Sequence, residues 1–191
     1  CAEICSLHIR ASRDPEQIVA SAVFADGAAA AIVSASPARG DFPVLELGEF
    51  GTAITAEGEG DMDWTIGDQG FEMRLTSEVP RIIGREIAGV VRSMLGDGAG
   101  PLSSIDTWAV HPGGRSVLDR VHTGLDLPDV ALDDSRAVLR EFGNMSSATV
   151  LFILQRILAS DLLGDGARVA GLAFGPGLTV ETARFTLRKT Q

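Results

Sequence analysis

Positive charge is scarce in this sequence: sixteen Lys plus Arg stand against 26 Asp plus Glu over 191 residues, a formal net charge of -10. That balance repels a phosphate backbone, so nucleic acid is not expected as a partner. Long apolar runs are also missing. The longest candidate, Ala148 to Leu154, is closed by Gln155 and Arg156, far short of the roughly 20 residues that a membrane-spanning helix needs. Only two cysteines occur, Cys1 and Cys5. Four apart at the extreme start, they make no disulfide framework and point to a reducing compartment, hence a cytoplasmic setting. Together with His8 they offer three metal-ligating side chains, but no fourth thiol or neighbouring imidazole closes a site, so no metal is expected and the cysteines read as a buried strand end. An initiator Met and the basic and apolar regions of a signal peptide are absent as well, and the natural polypeptide is expected to begin further upstream. No low-complexity tract, short repeat or internal domain boundary stands out, and 45% hydrophobic content supplies a core for about one domain.

What is present alternates between strand-like and helix-like segments. "DGAAAAIVS", Asp26 to Ser34, reads as a buried strand bounded by Gly27 and Pro37, and Val44 to Ile54 as a second extended stretch. The acidic, glycine-rich "AEGEGDMDW" reads as a loop or hairpin connection. Thr76, Ser77 and Glu78 offer capping chemistry before Pro80, and Arg81 to Leu95 carries Ile82, Ile83, Ile87, Val90, Val91, Met94 and Leu95 at helical spacing. "GDGAG", Gly96 to Gly100, lacks the Lys and Ser or Thr of a nucleotide loop and follows a helix, so it reads as a stop and linker. Ile105 to Val110 is then a short strand, Arg115 to Val121 the start of a helix, and "DDSRAVLREFGN" another helix ended by Gly143. "SSATVLFILQRILASDLL" reads as a central buried helix with Ser146 or Ser147 near its N-cap. The closing "ARVAGLAFGPGLTVETARFTLR" is strand, tight turn, strand. This order predicts α/β layering with helices on the sheet faces.

Two polar residues hold the most promising chemistry. His111 stands where a strand meets Pro112, Gly113 and Gly114, and Asn144 stands just ahead of the apolar helix in "EFGNMSSATV". Strand exits and helix starts on one sheet edge are where ligands collect in layered α/β folds. Glycines beside both residues leave room for a ligand. An imidazole N–H and a carboxamide N–H aimed at one point form an oxyanion hole. Taken singly, each has a plainer explanation: a hydrogen-bonded structural histidine, and an asparagine capping a helix. His122, on a helix with a polar far side, reads as a surface residue.

The stretches "VFADGAAAAIV", "WAVHPGG", "FGNMSSATVLFIL" and "FGPGLTVET", in that order, resemble the C-terminal half of the type III polyketide synthases, the chalcone and stilbene synthase family. The resemblance implies a thiolase-like fold, two similar α/β halves forming a five-layered αβαβα unit, with residues 1–191 as the C-terminal domain. It implies an acyltransferase acting on acyl-CoA and malonyl-CoA, a homodimer, no metal or redox cofactor, and a nucleophilic Cys supplied by the N-terminal half. The family's histidine falls on His111 and its asparagine on Asn144. Cys1 and Cys5 match the strand after the nucleophile region, so neither is expected to be the nucleophile.

Further positions concern substrate choice by the same resemblance. Phe24 matches a phenylalanine between the coenzyme A tunnel and the cavity, and Met73 falls where plant members carry a second gating phenylalanine. Trp64 stands where plant chalcone synthases have glycine, and Cys5 and His8 where they have threonines lining the pocket. Gly113, Gly114 and Ser146 adjoin the His and Asn motifs, and Phe174, Gly175, Pro176 and Gly177 match a loop bordering the cyclisation pocket. Ala25, Phe142 and Ala173 depart from family glycine, tyrosine and glycine. These departures point to a bacterial-type member making products such as alkylpyrones or alkylresorcinols. Two other readings compete: a ketoacyl carrier-protein synthase III-like enzyme, which shares a His/Asn pair, and an isolated C-terminal domain that is catalytically inert.

Overall fold

A computed structural model of the chain describes residues 1–36, 42–68, 70–95 and 101–189; Gly96 to Gly100, read as a linker, lies outside them. The centre is a four-stranded sheet built from β3 (Val44–Ile54), β6 (Thr107–Val110), β7 (Arg168–Gly175) and β8 (Thr179–Arg188), in the order β3-β8-β7-β6. The β7/β8 pair is antiparallel, closed by the turn over Pro176, Gly177 and Leu178, so Phe174 and Gly175 of the expected turn are still strand, and β6 lies parallel to β7 with Val110 opposite Leu172. A parallel partner needs a crossover. That crossover holds α3 (Arg115–Gly124), α4 (Asp133–Phe142) and α5 (Ser147–Leu158).

Strand alternation sends side chains to two cores. Trp108, Val110, Ala170 and Leu172 pack with Ile83, Ile87 and Val91 of α2 (Val79–Leu95) and with Val117, Leu118 and Val121 of α3. Ala109 and Val169 point the other way, onto Ala148, Ile153 and Ile157 of α5. The result is three layers, helix on sheet on helix, as the sequence pattern predicts. α2 starts two residues earlier than expected, at Val79, and the Thr76 hydroxyl accepts from the Glu78 N–H at 3.2 Å just before it. α5 is buried along one face, by Ala148, Thr149, Ile153 and Ile157; Ser147 and Gln155 are exposed and its other positions half-buried. Burial on every side was expected; among the described residues the second face is covered only in part. No described helix is long and apolar enough to cross a membrane.

Two further pieces flank the sheet. The hairpin of β4 (Met62–Gly67) and β5 (Gly70–Leu75) places Trp64 opposite Met73, so the acidic loop ends at Asp61 and Met62 to Trp64 are already strand. The start of the chain carries β1 (Ala2–Glu3), a 3₁₀ turn over Cys5–His8, α1 (Pro15–Val23) and β2 (Gly27–Ala28), with β1 and β2 paired as a sheet of their own. α1 is capped by Asp14, whose carboxylate accepts from the Glu16 N–H at 3.0 Å, with Pro15 following in the first turn.

The strand expected over Asp26 to Ser34 is confined to Gly27 and Ala28. Ile32 is 99% exposed and Val33 75% exposed. The apolar composition is real, but only its first part is packed, Ala28 against β1 and Ala29 against the core around α5, while Ile32 and Val33 face outward. Cys1 is likewise exposed where a buried strand end was expected, its thiol facing the Ala29 carbonyl at 3.5 Å.

Candidate active site

β6 carries His111 to the sheet edge. The strand's last residue, Val110, is fully buried and its N–H donates to the Ser135 hydroxyl of α4 at 3.0 Å. The His111 N–H then donates to the Leu172 carbonyl at 2.7 Å, and the Gly113 N–H returns to the His111 carbonyl at 3.1 Å. The backbone on both sides of the ring is therefore fixed. Among the described residues, none hydrogen-bonds the imidazole. Burial lowers its pKa to about 4, so at neutral pH the ring is uncharged, with one N–H donor and one acceptor nitrogen.

Asn144 reaches the same edge from the α4–α5 connection. Its N–H donates to the Val23 carbonyl at 2.9 Å, and its carbonyl accepts from the Ala25 N–H at 2.8 Å, forming a parallel bridge with Phe24. The path there is steep. Gly143 has φ +75, and a Cβ on it would stand 3.0 Å from the Val23 carbonyl oxygen, a place only glycine fills without strain. The Asn144 side chain is buried, 2% exposed, and its Oδ1 accepts from the Ser146 N–H at 2.9 Å. With the oxygen occupied, the amide nitrogen faces the turn after His111, 3.5 Å from the Gly113 carbonyl. Asn144 is thus no conventional helix cap. Its carboxamide has a set orientation and a second N–H to offer.

Both side chains line one cavity of about 990 Å³, near the upper end of the range for small-molecule pockets. Phe24, Trp64, Met73, Gly113, Gly114, Ser146, Phe174, Gly175 and Pro176 line it as well. A smaller recess of about 340 Å³ shares Phe24, Trp64, Met73 and Ser146 with it and adds Cys5 and His8. There the His8 ring meets Trp64 edge-on at 5.1 Å and Phe71 at 6.2 Å. Asp26 accepts from the Ser6 N–H at 2.7 Å and the Ser6 hydroxyl at 2.6 Å, which anchors the turn carrying Cys5 and His8; those bonds hold the Asp26 carboxyl below the usual carboxylate range. Burial pushes the Cys5 thiol up, with Glu3 and Asp26 adding to it. A protonated thiol at neutral pH is a poor nucleophile.

Several details differ from the sequence reading. Gly177 lines neither space and instead holds the β7–β8 turn, at φ +118. Gly114 is extended, at φ 173, so its contribution is open space, with nothing within 4 Å of where a Cβ would sit. Ser146 stands at the N-cap of α5 but its side chain caps nothing; its φ of +51 is the left-handed region that favours glycine. Such strain gathers at functional sites. His122 is half-buried and faces Asp129 at 3.5 Å. Arg115 and Arg120, at the cavity mouth, were not singled out. Their signal was two arginines in the first six residues of the helix after "HPGG".

A three-layered α/β unit with a polar pair at a strand exit defines a half-domain of the thiolase-like type. Residues 49–188 match the family described as chalcone and stilbene synthases, C-terminal domain, and the chain belongs to that family. Two solved structures are similar over nearly all of it. The C-terminal type III polyketide synthase domain of Steely1, a type I/III hybrid from Dictyostelium, is 30% identical with a TM-score of 0.89, covering 97% of this chain and 52% of that one. PKS-I from the brown alga Ectocarpus siliculosus is 26% identical with a TM-score of 0.84, covering 100% of this chain and 52% of that one. The chain therefore spans about half the length of these relatives.

Proposed function

We propose that this chain is the C-terminal half of a type III polyketide synthase, and that His111 and Asn144 form the oxyanion hole for malonyl-CoA decarboxylation. The observation that carries this reading is the shared cavity, with a neutral imidazole and an oriented carboxamide on its wall. Loss of carbon dioxide from the malonyl thioester leaves an enolate whose negative charge develops on the thioester oxygen. Two preorganised neutral donors stabilise that charge more than the ground-state carbonyl. The enolate carbon then attacks the acyl thioester on a Cys of the N-terminal half, forming a carbon–carbon bond and releasing the Cys thiolate. The acyl group leaves two carbons longer, as a coenzyme A thioester.

Phe24, Trp64, Met73 and Phe174 give the cavity apolar walls, which suits long fatty acyl starters and products such as alkylpyrones or alkylresorcinols, as in bacterial-type members. The exposure of Ile32, Val33, Leu7 and Ile9 supports docking of the N-terminal half against them. The complete enzyme is a cytoplasmic homodimer on this reading. Incubating the complete protein with acyl-CoA starters and malonyl-CoA tests it: extended pyrones or resorcinols are expected, and acyl-enzyme without extension would contradict it.

A further inference from the structure

We propose that Ser135 and Thr149 are positioning residues for the oxyanion hole, two buried hydroxyls that hold the backbone beside His111 and Asn144 at the spacing one thioester oxygen needs. The assignment rests on the reading above and deepens it. Five polar residues are buried among those described: Asn144 itself, Thr55, Thr182, Ser135 and Thr149. The Thr55 hydroxyl meets the carbonyls of Glu57 and Leu178, and the Thr182 hydroxyl donates to the Gly51 carbonyl. Ser135 and Thr149 are the two with no exposure at all, and both accept: Ser135 from the Val110 N–H at 3.0 Å, Thr149 from the Met145 N–H at 2.8 Å. Each donor is one residue away from a member of the pair.

Local geometry explains why both places need a hydroxyl. Among the described strands β6 is the last of its sheet, paired with β7 alone. The His111 N–H turns to Leu172 of β7, so the Val110 N–H, one residue earlier, points off the sheet edge, where Ser135 of α4 receives it. Met145 stands just ahead of α5, where backbone N–H groups have no helical acceptor, and between Asn144 and the strained Ser146. Thr149 receives that N–H from within the helix. A buried N–H without a partner is costly, so losing either hydroxyl moves the backbone toward another acceptor. No described residue hydrogen-bonds the imidazole, so His111 lies where its backbone puts it. The Asn144 carboxamide is held through the turn that Thr149 fixes, by the Ser146 N–H. One helix joins the two arms: α4 carries Ser135 in its first turn and ends at Phe142, from which Gly143 leads to Asn144.

The test is malonyl-CoA decarboxylation by the complete enzyme carrying Ser135→Ala or Thr149→Val. Each is expected to slow the step about tenfold with the KM for malonyl-CoA unchanged, and Ser135→Thr and Thr149→Ser, which restore the hydroxyl, to recover most of the rate. Where the alanine variant does not accumulate, Ser135→Cys, of nearly the same shape but a weak acceptor, replaces it. The genetic background separates positioning from plain stability. Ser135→Ala should cost nothing further in a His111→Ala enzyme, nor Thr149→Val in an Asn144→Ala enzyme, because each acts through the residue already removed. The same loss in those backgrounds would overturn the proposal and leave the polyketide synthase reading intact. Amide hydrogen exchange reads the two anchors without turnover. Faster exchange at the His111 N–H in Ser135→Ala, and at the Asn144 N–H in Thr149→Val, would support the proposal even in a protein that makes no polyketide; unchanged exchange would overturn it.

Discussion

Asn144 turns its amide nitrogen to the carbonyl of Gly113 at 3.5 Å, which places it beside the turn that His111 begins. Chain segments 33 residues apart, 144 minus 111, thereby share one wall. Several consequences of that arrangement are measurable.

The pH behaviour follows from His111. Its folded pKa, about 4, lies below the ordinary value of 6.5, so between those limits the unfolded chain binds more protons. Stability is full above pH 6.5 and is lost as pH falls toward 4, by up to ~3 kcal/mol and less where cavity water hydrates the ring. Denaturant titrations of the complete enzyme from pH 7.5 to 4 should show this loss, and His111→Gln should flatten it. An unchanged slope in that variant would assign the acid sensitivity elsewhere.

Gly143→Ala puts a side chain at φ +75 and against the Val23 carbonyl. A destabilisation of about 1–3 kcal/mol is expected, read as a lower Tm. Because the same turn delivers Asn144, malonyl-CoA decarboxylation should fall with it, whereas a purely local loop effect would leave the rate alone.

Ser146→Gly removes the strain of a non-glycine at φ +51 while keeping the N–H that holds the Asn144 Oδ1. Thermal denaturation should show a gain of about 1 kcal/mol. A lower Tm would mean that the Ser146 side chain contributes more than its backbone costs.

Trp64 lies where the two recesses meet, stacked edge-on with His8. Replacing it with Ala enlarges that space, so the preferred acyl-CoA starter should shift to longer chains in product analysis by mass spectrometry. An unchanged starter profile would remove Trp64 from the specificity wall.

Much of this was legible in the sequence because local pattern and tertiary role agree. Val44 to Ile54 is a strand to the residue, and the closing stretch is strand, turn, strand, with Gly177 at φ +118 in the turn. Ile82, Ile83, Ile87 and Val91 were placed by their helical spacing and are buried. The stretch from Asp26 to Ser34 was misread because apolar composition signals burial without saying against what, and Ile32 and Val33 face outward. The candidate site was legible only as residue types at two structural junctions, which the fold brings to one cavity. Its geometry was not, since the Phe24–Asn144 bridge joins segments 120 residues apart, and the backbone twist at Ser146 has no glycine to announce it.

The most direct measurement separates the two half-reactions in the complete enzyme carrying Asn144→Ala, following acyl loading by intact-protein mass spectrometry and carbon dioxide release from malonyl-CoA in single turnover. Decarboxylation is predicted to slow by roughly 100 to 1,000-fold with acyl loading nearly unaffected. Equal slowing of both steps would contradict the assignment of Asn144 and His111 as paired donors to one thioester oxygen.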